Sequence, residues 1–159
     1  MQFISREKYL YDFMSKKISR FVFPSFFIFL TLSFLQCKKD NSTIPNVYVD
    51  TYVYLSQPQY SNLNSVGNWT YIEGYGVKGI ILYRKSSSEF VAYDRSCPYD
   101  PNAANARISV DASNIIGVDN NCGSQFSLFD NSIVKGPANR QMRAYYADYD
   151  GSLTVHIHS

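Results

Sequence analysis

From residue 45 to residue 159 the chain never sustains a 3.6-residue apolar period, and turn signals recur every eight to twelve residues. A segment without an apolar stripe has no face to bury as a helix, so its backbone groups must be paired between strands. The pattern predicts an all-β fold, an antiparallel sandwich of short strands. Residues 47–55 alternate, with Val47, Val49, Val53 and Leu55 on one face and Tyr48, Asp50, Tyr52 and Tyr54 on the other. This is the period-two signature of a half-buried strand. Residues 57–68, carrying Pro58, Gly67 and several Asn and Ser, form a loop. Residues 69–72 lead to Gly74, Gly76 and Gly79 and then to Ile80-Ile81-Leu82-Tyr83. Four apolar residues next to glycines are too few for a helix and read as a central strand, with 89–93 returning as its hairpin partner. The glycine spacing fits neither phosphate-binding fingerprint, and no helix follows, so these are turn glycines. Residues 107–110 and 114–118 form a second hairpin. Residues 126–129 and 132–134 flank Asp130-Asn131, and 142–147 and 153–157 flank Asp150-Gly151, both good hairpin dipeptides.

The chain ahead of this region has a different composition. Arg6, Lys8, Lys16, Lys17 and Arg20 precede an apolar run over 21–35, which ends at Gln36-Cys37 and passes into Lys38-Lys39-Asp40-Asn41-Ser42. A basic start, a short apolar stretch and a polar stop read as a secretion signal over 1–36. The run falls short of the roughly twenty residues a spanning helix needs, and Pro24 interrupts it. Starting at Met14 leaves a conventional signal over 14–36. Phe34-Leu35-Gln36-Cys37 resembles the relaxed lipobox of Bacteroidetes-type lipoproteins. That resemblance implies lipidation at Cys37, a polar tether over 37–45, and a domain over 46–159 held at the cell envelope, at the outer membrane. The plainer alternative is ordinary signal cleavage with Cys37 removed or left free. Without the leader the charge is ten basic against eleven acidic residues, so no basic patch points to nucleic acid.

Two loops about twenty-five residues apart each carry one cysteine, Tyr93-Asp94-Arg95-Ser96-Cys97-Pro98-Tyr99-Asp100 and Asp119-Asn120-Asn121-Cys122-Gly123-Ser124-Gln125-Phe126. Both follow β-rich apolar runs, and the second is answered by Gly136-Pro137-Ala138. This frame resembles the Rieske iron–sulfur fold, whose cluster-binding loops read C-x-H and C-x-x-H-G-S-x-F/Y and are followed by a G-P-A turn. The resemblance implies that the two loops lie side by side at one end of a β-sandwich. It also maps the ligand positions. Cys97 keeps the first cysteine, Tyr99 stands at the first histidine, Asp119 at the second cysteine, and Cys122 at the second histidine.

A Rieske centre needs two thiolates on one iron and two imidazoles on the other, and neither loop holds a histidine. Two cysteines and two oxygen donors match sulfide-bridged iron poorly. With Cys37 acylated, Cys97 and Cys122 remain as one pair, and the extracytoplasmic compartment favours a disulfide between them. Such a bridge would contribute roughly 3 kcal/mol in the chain-entropy account. A [2Fe–2S] cluster with atypical ligands, free thiols and a mononuclear metal site remain the alternatives. By resemblance Ser124 occupies the position that tunes the cluster, and without a cluster it satisfies loop backbone groups.

Other candidates carry less. His156 and His158 lie two apart on the last strand and share a face. H-x-H can hold a metal, but with no carboxylate or cysteine beside it in sequence it reads as an exposed terminal strand, and no metal is expected. Asp94, Asp100, Asp119 and Asp130 sit at strand ends, where Asp is a turn residue. No G-x-S-x-G elbow exists, and no catalytic residue is indicated. A dozen tyrosines follow Cys37, among them Tyr71, Tyr75, Tyr83, Tyr93, Tyr145, Tyr146 and Tyr149. Tyrosine is a favoured strand residue, and an aromatic β surface can also bind glycan or peptide. The sequence therefore predicts a membrane-anchored, extracytoplasmic, non-enzymatic binding or structural module, with the membrane and an envelope protein as partners. An electron-transfer protein with an atypical [2Fe–2S] centre is the alternative.

Overall fold

The computed structural model describes residues 44–159. The leader, Cys37 and most of the tether lie outside the described residues. Among those described the chain is all-β, with ten strands and one short 3-10 helix, Pro58–Asn64, inside the expected loop.

The strands are β1 (Asp50–Tyr54), β2 (Trp69–Ile72), β3 (Ile80–Arg84), β4 (Phe90–Asp94), β5 (Ile108–Val110), β6 (Ile116–Asp119), β7 (Gln125–Ser127), β8 (Ile133–Lys135), β9 (Ala144–Tyr149) and β10 (Thr154–His158). They form two antiparallel sheets. One has the order β1-β10-β9-β4-β3-β2 and curls into a half-barrel; the other has the order β5-β6-β7-β8. In the first, β9 is the hinge strand, pairing with β10 through Tyr146–Tyr149 and with β4 through Ala144 and Tyr145.

Two apolar cores follow from this arrangement. Val49, Val53, Leu63, Ile80, Leu82, Phe90, Val155 and Ile157 fill the inside of the curl. Ile81, Tyr83, Tyr93, Ile108, Phe126 and Leu128 fill the space between the outer face of β3 and β4 and the four-stranded sheet. Alternate residues of β3 thus enter different cores. A strand covered on both faces must be apolar throughout, which is why Ile80-Ile81-Leu82-Tyr83 is a continuous run and β1 an alternating one. In β1, Tyr52 and Tyr54 are exposed while Val53 is fully buried.

The turn glycines take the left-handed backbone that their spacing anticipates, with φ of +83° at Gly74, +71° at Gly76 and +92° at Gly79. The Asp130-Asn131 turn is longer than a two-residue hairpin. The Ser127 amide donates to the Ser132 carbonyl and the Asn131 amide to Ser127, with Asn131 at φ +61°. The Asp150-Gly151 turn likewise spans four residues and is closed by the Asp150 carboxylate, which accepts from the Ser152 and Thr154 amides.

Candidate functional site

The first cysteine loop runs from the end of β4 to the start of β5 and crosses from one sheet to the other. Three polar anchors fix it. Asp94 is fully buried and accepts from the Val77 amide at 2.6 Å, the Ser96 amide at 2.7 Å and the Tyr145 hydroxyl at 2.8 Å. Arg95 stacks on the Tyr71 ring, 3.5 Å from its centroid, donates to the Ile108 carbonyl, and pairs with Glu73 at 2.7 Å. Burial lowers the Arg95 pKa, while Tyr71 and Glu73 act the other way. Arg107 pairs with the other oxygen of Glu73, and Lys78 donates to the Ala106 carbonyl at 2.9 Å. These residues staple the loop to the glycine turn between β2 and β3. None of this network is legible in the sequence, because its members are far apart along the chain.

The second loop is the hairpin between β6 and β7. Gly123, at φ +78°, makes the turn, and its amide donates to the Asp119 carbonyl at 2.7 Å. The Ser124 hydroxyl accepts from the Ala138 amide at 2.9 Å, so the Gly136-Pro137-Ala138 segment is tied to this loop through a serine that is fully buried. Phe126, also fully buried, seats the hairpin in the second core. The G-S-x-F and G-P-A motifs thus have a joint structural reason within this chain.

The loops bring three of the four predicted site residues together. Cys97 Sγ lies 3.7 Å from Cys122 Sγ. Cys122 Sγ lies 3.2 Å from Asp119 Oδ2 and 3.0 Å from Ser124 Oγ. Asp119 Oδ1 accepts from the Asn121 amide at 2.8 Å. Cys97 and Asp119 are fully buried and Cys122 is half-buried. Both Asp94 and Asp119 therefore do more than cap strand ends: each turns its carboxylate inward and is bonded there. The fourth residue, Tyr99, is 43% exposed, and its backbone amide donates to the Cys97 sulfur.

Its surroundings hold the Cys97 thiol in the neutral form. Burial pushes the Cys97 thiol well above its ordinary range, and the hydrogen bond to Asp119 and its charge push it further, with only the Tyr99 amide opposing. A thiol so placed is a weak nucleophile, since attack needs the thiolate. The donor set also fails to match a [2Fe–2S] centre. Single donor atoms of Cys97, Asp119 and Cys122 all lie within 4.8 Å of one another. That leaves space for one ion between them, not for a four-atom iron–sulfide rhomb, and no imidazole is within the two loops.

An open cleft adjoins the Tyr71 and Glu73 staple. It is lined from both edge strands, β1 and β2, and from the 3-10 helix, with Tyr52, Tyr60, Trp69, Tyr71, Asn62 and Asn68 among its walls. No helix among the described residues is long and apolar enough to cross a membrane. No protein-family model matches the chain, and no curated protein matches it.

Proposed function

We propose that this chain is an exported, lipid-anchored, all-β domain with a Rieske-like loop frame, in which a Cys97–Cys122 disulfide takes the place of a cluster. On this reading it serves as a non-enzymatic binding or structural module at the envelope membrane. The observation that carries it is the 3.7 Å contact between the two sulfurs, held by loops that are themselves tied to the G-P-A segment through Ser124. The bond forms by exchange with a disulfide donor of the envelope. Each thiol gives up its proton, the two sulfurs join, and the donor's own disulfide accepts the two electrons and becomes two thiols. The aromatic cleft, with tyrosine and tryptophan faces beside asparagine amides, supports the binding role.

Alkylation of the full chain recovered from envelopes tests the lock. In denaturant, which exposes the buried Cys97, neither Cys97 nor Cys122 should take up the reagent without reductant, and after reduction both should. Two irons and two sulfides per chain would overturn the reading in favour of electron transfer, and Tyr99 and Asp119 would then be the ligands to alter. The anchor is tested separately by Cys37→Ser. That protein should leave the membrane fraction, and retention there after signal processing would sink the anchor.

A further inference from the structure

The chain's two histidines are surrounded in a way their spacing does not reveal. β10 lies between β1 and β9, so each imidazole has a cross-strand neighbour on both sides. His156 stands opposite Tyr52 and Asp148, and His158 stands opposite Asp50 and Tyr146. The hydrogen bonds take the diagonals. His156 Nε2 meets Asp50 Oδ1 at 2.7 Å, and His158 Nε2 meets Asp148 Oδ2 at 2.8 Å. Tyr52 stacks on His156 at 4.2 Å, the two rings nearly parallel, and Tyr146 stacks on His158 at 5.1 Å. The two imidazole centroids are 4.7 Å apart. One donor atom each of Asp148, His156 and His158 lies within 4.8 Å of the others.

We propose that Asp148, His156 and His158 bind a divalent transition-metal ion of the zinc class, with Asp50 as the carboxylate that orients His156. Two imidazoles and one carboxylate select zinc, nickel or copper(II) over calcium and magnesium, which take oxygen donors. Three protein ligands with a fourth position open to water is a common zinc arrangement. Around one zinc, donors sit roughly 3.3 Å from each other, given metal–donor distances of about 2.0–2.2 Å. The close His158–Asp148 pair therefore opens slightly and the wider separations shrink, which rotation of half-exposed side chains permits. A carboxylate bonded to a ligating histidine fixes the orientation of its ring, and Asp50 is in place to do this. Strand register holds the whole set, and Tyr52 and Tyr146 each cover one imidazole. The hydrogen bonds of the two histidines go to Asp50 and Asp148 and not to the cysteine loops, so the site stands apart from the disulfide reading.

The test uses the full chain in detergent, without a polyhistidine tag and stripped by chelator, titrated with zinc chloride against a chromophoric chelator. One zinc per chain should bind. Asp148→Asn and His158→Gln should each weaken binding at least about tenfold, and Asp50→Asn should cost about tenfold as an orienting group. Cys122→Ser should leave it unchanged. Zinc should also raise the thermal midpoint of the unaltered chain and not that of His158→Gln. Asp148 is 73% exposed, so its variant folds and carries the test even where a histidine variant does not. Absence of equimolar binding, binding as tight in Asp148→Asn as in the parent, or binding lost in Cys122→Ser would each overturn the site.

Discussion

A fully buried carboxylate is costly unless its lone pairs are used, and Asp94 spends them on three donors from three different segments: the glycine turn, the first cysteine loop and β9. Asp94→Ala leaves two amides and a hydroxyl without acceptors inside the protein. A loss of about 2–4 kcal/mol in urea unfolding is expected. Tyr145→Phe removes one donor and should cost about 1 kcal/mol, and less again on the Asp94→Ala background. Equal costs on both backgrounds would show that the hydroxyl does not depend on the carboxylate. Gly76 is bound to the same centre, because a Cβ there would meet Asp94 Oδ2 at 2.5 Å with the backbone at φ +71°. The sequence shows Asp94 as a strand-end residue and Gly76 as a turn glycine. It does not show that one faces the other, because their contact depends on how β3 pairs with β4.

At the scale of elements, strand position was largely legible because the patterns that specify strands are local. The alternation of β1, the doubly buried run of β3 and the glycine-bounded turns all act over a few residues, and ten strands stand where periodicity and turn signals place them, within three residues at either end. Neighbour relations were less legible. The run at 153–157 reads as a terminal strand from its place in the chain, yet β10 is internal to its sheet, and that position brings Asp50 and Asp148 to the histidines. The cysteine loops are an intermediate case. Their sequence frame implied adjacency, and the sulfurs do meet, but Asp119 and Ser124 around Cys122 are set by the hairpin turn at Gly123. Closing the loop between Cys97 and Cys122 should contribute roughly 3 kcal/mol. Urea unfolding with and without reductant measures it, and identical midpoints would show that the bridge, if formed, adds no constraint.

For the whole molecule, the two cores share β3 and β4, and groups buried around them couple stability to pH. Burial pushes the Tyr93 hydroxyl up to about 12, with the charges of Asp130 and Glu89 adding to it. Tyr145 is raised by burial and by its bond to Asp94, and the Cys97 thiol by burial and Asp119. In the open chain the tyrosines ionise near 10 and the thiol near 9. Above those values the unfolded chain has released protons that the folded chain keeps, so rising pH favours unfolding. Each such group removes about 1.4 kcal/mol per pH unit, from its open-chain pKa up to its folded one. Both redox forms share the tyrosine contribution, which begins near pH 10. Only the reduced form carries the Cys97 proton, so its decline begins about one unit lower. Unfolding free energies of oxidised and reduced chain, measured by urea from pH 7 to pH 11, should therefore diverge as pH passes 9. A constant gap would mean that Cys97 ionises as readily in the folded chain as in the open one. Burial and the Asp119 carboxylate would then be no obstacle to a thiolate at this site.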